Sequence, residues 1–169
     1  MKHRLIAIAC SVVLACPVAA LAAGGSGGGA AGGGGSDAAS SARSRDVDYS
    51  AGMAAVKTKD WQQVVERMGA YTQRQPDDAD GWNELGHAYR RLGKLDPAFD
   101  AYGKALKIDP RHRGAHEYLG EAYLQVGDLP KAEQELKTLD KLCFLPCEEY
   151  RDLKHNIEDY KKGKQAKAS

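Results

Sequence analysis

The sequence predicts an all-α fold, a solenoid of three helix-turn-helix repeats followed by a C-terminal capping helix. Three observations predict it. Apolar residues recur at a step of 34 residues, they fall at helical spacing within each step, and an amphipathic stretch follows the third step. At that shift Gly52, Gly86 and Gly120 coincide, as do Ala51, Leu85 and Leu119, and Ala55, Tyr89 and Tyr123. Further along come Trp61 with Leu95 and Leu129, Val64 with Ala98 and Ala132, and Met68 with Tyr102 and Leu136. Tyr71, Ala105 and Leu139 form the last apolar column, and Pro76 and Pro110 coincide with Phe144.

Before the repeats lie two segments of different character. Residues 1–22 read as a secretory signal: Met1-Lys2-His3-Arg4 is basic, Leu5 to Ala22 is apolar, and Ala20-Leu21-Ala22 offers small residues for cleavage. An uncleaved N-terminal anchor is the alternative for this segment. Val13-Leu14-Ala15-Cys16 also resembles a lipobox, which makes Cys16 the candidate for lipidation. Residues 23–44 form a Gly/Ala/Ser tract that has too little side chain to bury and is expected to be a flexible tether.

The repeats are expected at about 45–78, 79–112 and 113–146. In the middle unit Leu85, Ala88, Tyr89 and Leu92 mark one helix face. Gly93 and Gly127 stand where the first helix of a pair has to stop, consistent with a left-handed closing residue. Asp96-Pro97 and Asp109-Pro110 are expected to mark turns, with Pro97 suited to the first turn of the second helix. Gly86 and Ala98 are small because the two helices cross closely there, and Trp82, Tyr89 and Tyr102 are expected as core between units. One unit cannot bury its apolar face alone. Pro146-Cys147-Glu148-Glu149 therefore opens a closing helix, 147–162, with Tyr150, Leu153, Ile157 and Tyr160 on its apolar side and charge on the other. Residues 163–169 are expected to be a disordered tail.

Trp82-x2-Leu85-Gly86-x2-Tyr89, Ala98-x3-Tyr102 and Pro110 together resemble the tetratricopeptide-repeat signature, with Tyr102 in the slot that Phe usually fills. The third unit has His116 in the Trp slot, and the first is degenerate, with Asp48 and Ala55 in the Trp and Tyr slots. The chain also resembles small exported tetratricopeptide-repeat proteins of proteobacteria, through residues 112–123 (HRGAHEYLGEAY) and 142–150 (LCFLPCEEY). The resemblance implies a right-handed superhelix whose concave face is lined by the first helix of each pair. It places Tyr49, Met53 and Lys57, then Asn83, His87 and Arg90, then Glu117, Glu121 and Gln125 on that face. Such a groove is apolar and basic toward one end and acidic toward the other, and suits a peptide of mixed charge. The clamp that some family members use for an acidic C-terminus needs several Lys and Asn residues. Only Asn83 and Arg90 come close here, and Glu117 and Glu121 would repel such a tail.

Charge and motif content bound the function. Removing Lys2 and Arg4 leaves 22 basic residues against 23 acidic ones, so no basic excess draws the chain to nucleic acid or an anionic membrane. No Ser/His/Asp set, phosphate loop or catalytic metal-ligand cluster is present, and no cofactor is implied. The expected function is an exported, non-enzymatic scaffold, periplasmic or lipid-anchored, that binds a protein or peptide partner in its groove. No membrane span is expected in the mature chain. Cys143 and Cys147 supply the competing reading. An even pair outside the cytoplasm favours a disulfide, but redox work by Cys147 at a helix N-terminus and binding of a soft metal remain open. His112 and His116 are expected to be surface or packing histidines.

Overall fold

The computed structural model describes Arg43 and residues 46–168, with side chains to Lys164. The expected signal, Cys16, Ser169 and all of the expected tether except Arg43 lie outside the described residues. Among the described residues there are seven helices and no strands. These are α1 (Val47–Thr58), α2 (Trp61–Arg74), α3 (Ala79–Arg91), α4 (Leu95–Ile108), α5 (Arg113–Gln125), α6 (Leu129–Leu142) and α7 (Glu148–Ala168). No described helix is long and apolar enough to cross a membrane.

Capping chemistry sets most of the boundaries. Asp46, Asp60, Asp78 and Asp128 each accept a hydrogen bond from a first-turn backbone N–H of α1, α2, α3 and α6, which otherwise would have no partner. His112 does the same for α5, its Nδ1 accepting from the Ala115 N–H at 3.1 Å. The first hairpin turns at Lys59, the second at Gly93 and the third at Gly127, with φ of 59°, 71° and 83°. The two glycines adopt this left-handed conformation without steric cost, whereas Lys59 does not. Asp96 and Pro97 lie inside the first turn of α4 rather than in a turn before it. Proline is tolerated there because the first-turn N–H groups have no intrahelical acceptor.

The hairpins α1–α2, α3–α4 and α5–α6 bury three successive cores. The first combines Ala55, Val64 and Met68 with Leu85 and Ala88 of the next hairpin. The second combines Ala98 and Tyr102 with Leu119 and Ala122. The third combines Ala132 and Leu139 with Leu153 and Ile157 of α7. Each core thus takes its far wall from the following unit, and α7 supplies that wall at the end. Leu153 stands one further 34-residue step beyond Leu85 and Leu119, so α7 occupies the place of a fourth first helix.

Close helix crossings require glycine at two of these points. A Cβ on Gly86 would lie 2.6 Å from the Tyr102 ring, and one on Gly120 would lie 2.6 Å from a Leu153 methyl. The last helix differs from its expected extent. It begins at Glu148 and runs past Lys162 to Ala168, through residues 163–168 that were expected to be disordered. Gln165-Ala166-Lys167-Ala168 are strong helix formers, and the single Gly163 does not outweigh them.

Candidate partner-binding groove

The first helices α1, α3 and α5 carry the expected groove residues, and the structure treats the three sets differently. On α1, Tyr49 and Met53 are half-buried against the first core, with the Tyr49 ring edge-on to Tyr71 at 5.0 Å, and Lys57 is exposed. On α3, Asn83, His87 and Arg90 are buried, which departs from their expected place on an open surface. The cause is aromatic: the His87 ring lies 4.9 Å from Trp61 and 4.4 Å from Tyr118, so it is sandwiched between α2 and α5. The Arg90 guanidinium stands 5.3 Å from the centre of the same Tyr118 ring and pairs with Glu121 at 2.5 Å. On α5, Glu117 and Glu121 are half-buried and Gln125 is exposed.

Arg90 and Glu121 are therefore brought into direct contact, and α7 completes their network. Asn156 donates from Nδ2 to Glu121 Oε1 at 2.6 Å, and Arg113 reaches Glu149 at 3.5 Å. Glu117, on the same face of α5 as Glu121, is crowded by acids. Burial, followed by the charges of Glu121, Asp152 and Glu149, pushes its carboxyl up to about 8, and Arg90 pulls the other way without cancelling them. Inside the face, the Asn83 Oδ1 and Arg90 Nε atoms are buried without a hydrogen-bond partner in the structure. The face therefore runs from apolar and basic at Tyr49, Met53 and Lys57, through a filled aromatic centre, to an acidic end beside α7. Tyr118, Asn156, Glu149 and Asp152 belong to this surface and were not anticipated. A signal for Tyr118 existed, since an aromatic there replaces the polar Glu84 and Ser50 found one and two steps earlier.

The two histidines are packing residues on separate elements. His112 caps α5 and turns Nε2 to Asp80 at 2.9 Å. Because Nδ1 already accepts from Ala115, Nε2 carries the proton. His116 lies between two acceptors, Glu135 at 2.7 Å and the Pro110 carbonyl at 3.1 Å. Burial draws its imidazole down, but these two hydrogen bonds and the Glu135 charge outweigh burial and hold it above the usual histidine range. At the loop edge, Arg43, Tyr71 and His112 answer the carboxylates of Asp78 and Asp80 around a cavity of about 430 Å³. The Cys143 and Cys147 sulfurs stand 2.08 Å apart with their Cα atoms at 5.8 Å, a separation that a disulfide spans. Among the described residues no group of three or more His, Cys, Asp or Glu side chains is arranged to hold a metal.

Stacked antiparallel hairpins, each sharing its core with the next, make this a helical-repeat solenoid. Residues 79–112, the α3–α4 hairpin and its following loop, match the family model "Tetratricopeptide repeat". The chain therefore contains a tetratricopeptide repeat at these residues, within a fold of the same kind. It is 29% identical over 91 residues to the peroxisomal targeting signal receptor of Candida albicans, a match over 54% of this chain and 15% of that protein. Among solved structures, the type III secretion translocator chaperone SycD of Yersinia enterocolitica superposes with a TM-score of 0.65 at 20% identity, covering 80% of this chain and 97% of that one. The second tetratricopeptide domain of human RPAP3, solved with the HSP70 peptide SGPTIEEVD, gives 0.60 at 18% identity, with 68% and 92% covered. At these identities the likeness is one of fold, an all-α superhelical solenoid of helix hairpins.

Proposed function

We propose that this chain is a non-catalytic scaffold that docks a segment of a protein partner along the face made by α1, α3 and α5. The observation that carries the proposal is the polarity of that face: exposed Lys57 at one end, the acidic cluster of Glu117, Glu121, Asp152 and Glu149 at the other, and a centre already filled by His87, Tyr118 and Arg90. A rigid centre with differently charged ends fixes the direction of a bound segment without giving up conformational freedom on binding. The RPAP3 domain, solved with a peptide, supports a groove reading for this architecture. Such domains characteristically bind other proteins and carry out no chemistry of their own. The matching segment has its basic residues toward α7 and its acidic residues toward α1.

The test is crosslinking capture in the native cell followed by direct binding of the recovered segment to Lys57→Glu and Glu117→Lys variants. Each reversal is expected to weaken binding about tenfold, the scale of one charged hydrogen bond. Binding that neither reversal changes would remove the groove assignment.

The compartment belongs to the same proposal. The signal-like residues 1–22 and a Cys143–Cys147 pair poised for a disulfide support a location outside the cytoplasm, and there the pair acts as a structural clip between α6 and α7. Alkylation of the native chain followed by mass spectrometry should find both cysteines blocked as a disulfide. Two freely alkylated thiols on the exported chain would exclude the clip.

A further inference from the structure

The segment between Cys143 and Cys147 has a feature that the groove does not use. Phe144 and Leu145 are 101% and 72% exposed, the most exposed apolar pair in the described chain, and Pro146 beside them is exposed too. A phenylalanine with no protein contact forfeits its whole burial energy, and here it stands on a loop tied at both ends by the cysteine pair. Immediately after this knob come two acids, the exposed Glu148 and the half-buried Glu149.

The complementary shape exists on the same chain. A cavity of about 500 Å³ is lined by Pro76, Asp77, Trp82, Lys104, Lys107 and Ile108. Its floor is the Trp82 indole, pinned by donating Nε1–H to the Pro76 carbonyl at 2.8 Å, and its wall is the exposed Ile108. Two lysines rim it, and Lys104 stands 4.0 Å from the indole centre. An apolar hollow with a basic rim matches an apolar knob with an acidic root.

The placement of the two features also fits. Loops 75–78, 109–112 and 143–147 each join the second helix of one hairpin to the next first helix, so in a stacked array they run along one edge. The cavity lies at the first of these loops and the knob is the third. Two copies related by a twofold axis can therefore lay each knob over the other's cavity, a closed contact with no free half.

We propose that the chain self-associates in this way: Phe144 and Leu145 of one copy enter the Pro76–Trp82–Ile108 cavity of a second, with Glu148 opposite Lys107. Apolar side chains seated in a preformed hollow carry the energy, and the charge pair sets the register.

Sedimentation equilibrium of the full chain over a wide concentration range tests the proposal. The wild type is expected to form a reversible dimer and to stop at two copies. Phe144→Ser, at a fully exposed position, should leave the circular dichroism spectrum unchanged and weaken association at least about tenfold. Lys107→Glu and Glu148→Lys should each weaken it, and mixing the two variants should restore it, because both sites of the mixed dimer then pair opposite charges. The double variant in one chain should restore it fully. A wild type that stays monomeric at every concentration, a dimer indifferent to Phe144→Ser, or a double variant no tighter than its parents would overturn it.

Discussion

The second and third repeats share a frame, yet they close it differently. In the second, Gly86 lies under Tyr102 of its own hairpin, and Asn83, His87 and Arg90 are buried on the groove side. In the third, Gly120 lies under Leu153 of α7, and Glu117 remains among acids. The middle repeat is thus complete once its neighbours are stacked on it. The third borrows its crossing residue from the closing helix. The closure of the third repeat should therefore depend on α7, and the acid-crowded Glu117 falls at the same end.

The largest effect should come from Leu153. Leu153→Ala empties a fully buried site facing both α5 and α6 and is expected to cost about 3 kcal/mol in urea unfolding. Leu136→Ala, at the position where the second repeat uses Tyr102, is only half-buried and should cost less than half as much. If Leu136 proves the costlier site, the third repeat closes on itself after all. Next are the glycines. Gly86→Ala drives a methyl into the rigid Tyr102 ring and should cost about 2 kcal/mol, while Gly120→Ala meets the flexible end of Leu153 and should cost about 1 kcal/mol. Equal costs would mean that the two crossings yield alike.

Glu117 gives a comparison that depends on pH. Its folded value is raised above its unfolded one, so its contribution to stability is fully present below the unfolded value near 4.5 and is lost as pH rises through about 8. Glu117→Gln should match the wild type at pH 4 and exceed it by about 1 kcal/mol at pH 8.5, a figure reduced for a half-exposed, solvent-screened group. Melting curves at the two pH values check this, and a pH-independent difference would show that its carboxylate is not strained by its neighbours. The smallest effect contrasts the hairpin turns. Lys59→Gly gives the first turn the residue that the other two already have, and should raise stability by about 0.5 kcal/mol in the same urea assay.

Much of the architecture was legible because stacking repeats it. Gly93 and Gly127 announced their turns since a left-handed closing residue leaves a mark in the sequence, and Leu153 and Ile157 announced a buried face through their spacing. Lys59 left no such mark, because lysine has no preference for the left-handed conformation that the first turn adopts. The groove was legible only as a set of positions. That Asn83, His87 and Arg90 would be buried depends on rings contributed from α2 and α5, namely Trp61 and Tyr118, and helical spacing within α3 carries no information about them. Beyond burial and the neighbouring Glu121, the acidic pressure on Glu117 comes from Asp152 and Glu149 on α7, more than thirty positions away in the chain. The end of α7 was misjudged for a local reason: charge reads as a tail, but lysine, glutamine and alanine also favour helix.

The position of the indoles has a practical consequence for spectroscopy. Both tryptophans of the chain, Trp61 and Trp82, belong to the first two hairpins, and each lies beneath a cationic side chain, Arg91 at 4.8 Å and Lys104 at 4.0 Å. Intrinsic emission therefore reports the N-terminal half and is blind to fraying of the C-terminal half. Where far-ultraviolet ellipticity falls before emission shifts, the gap between the two curves measures how far the closing helix and its borrowed crossing detach while the rest stays folded.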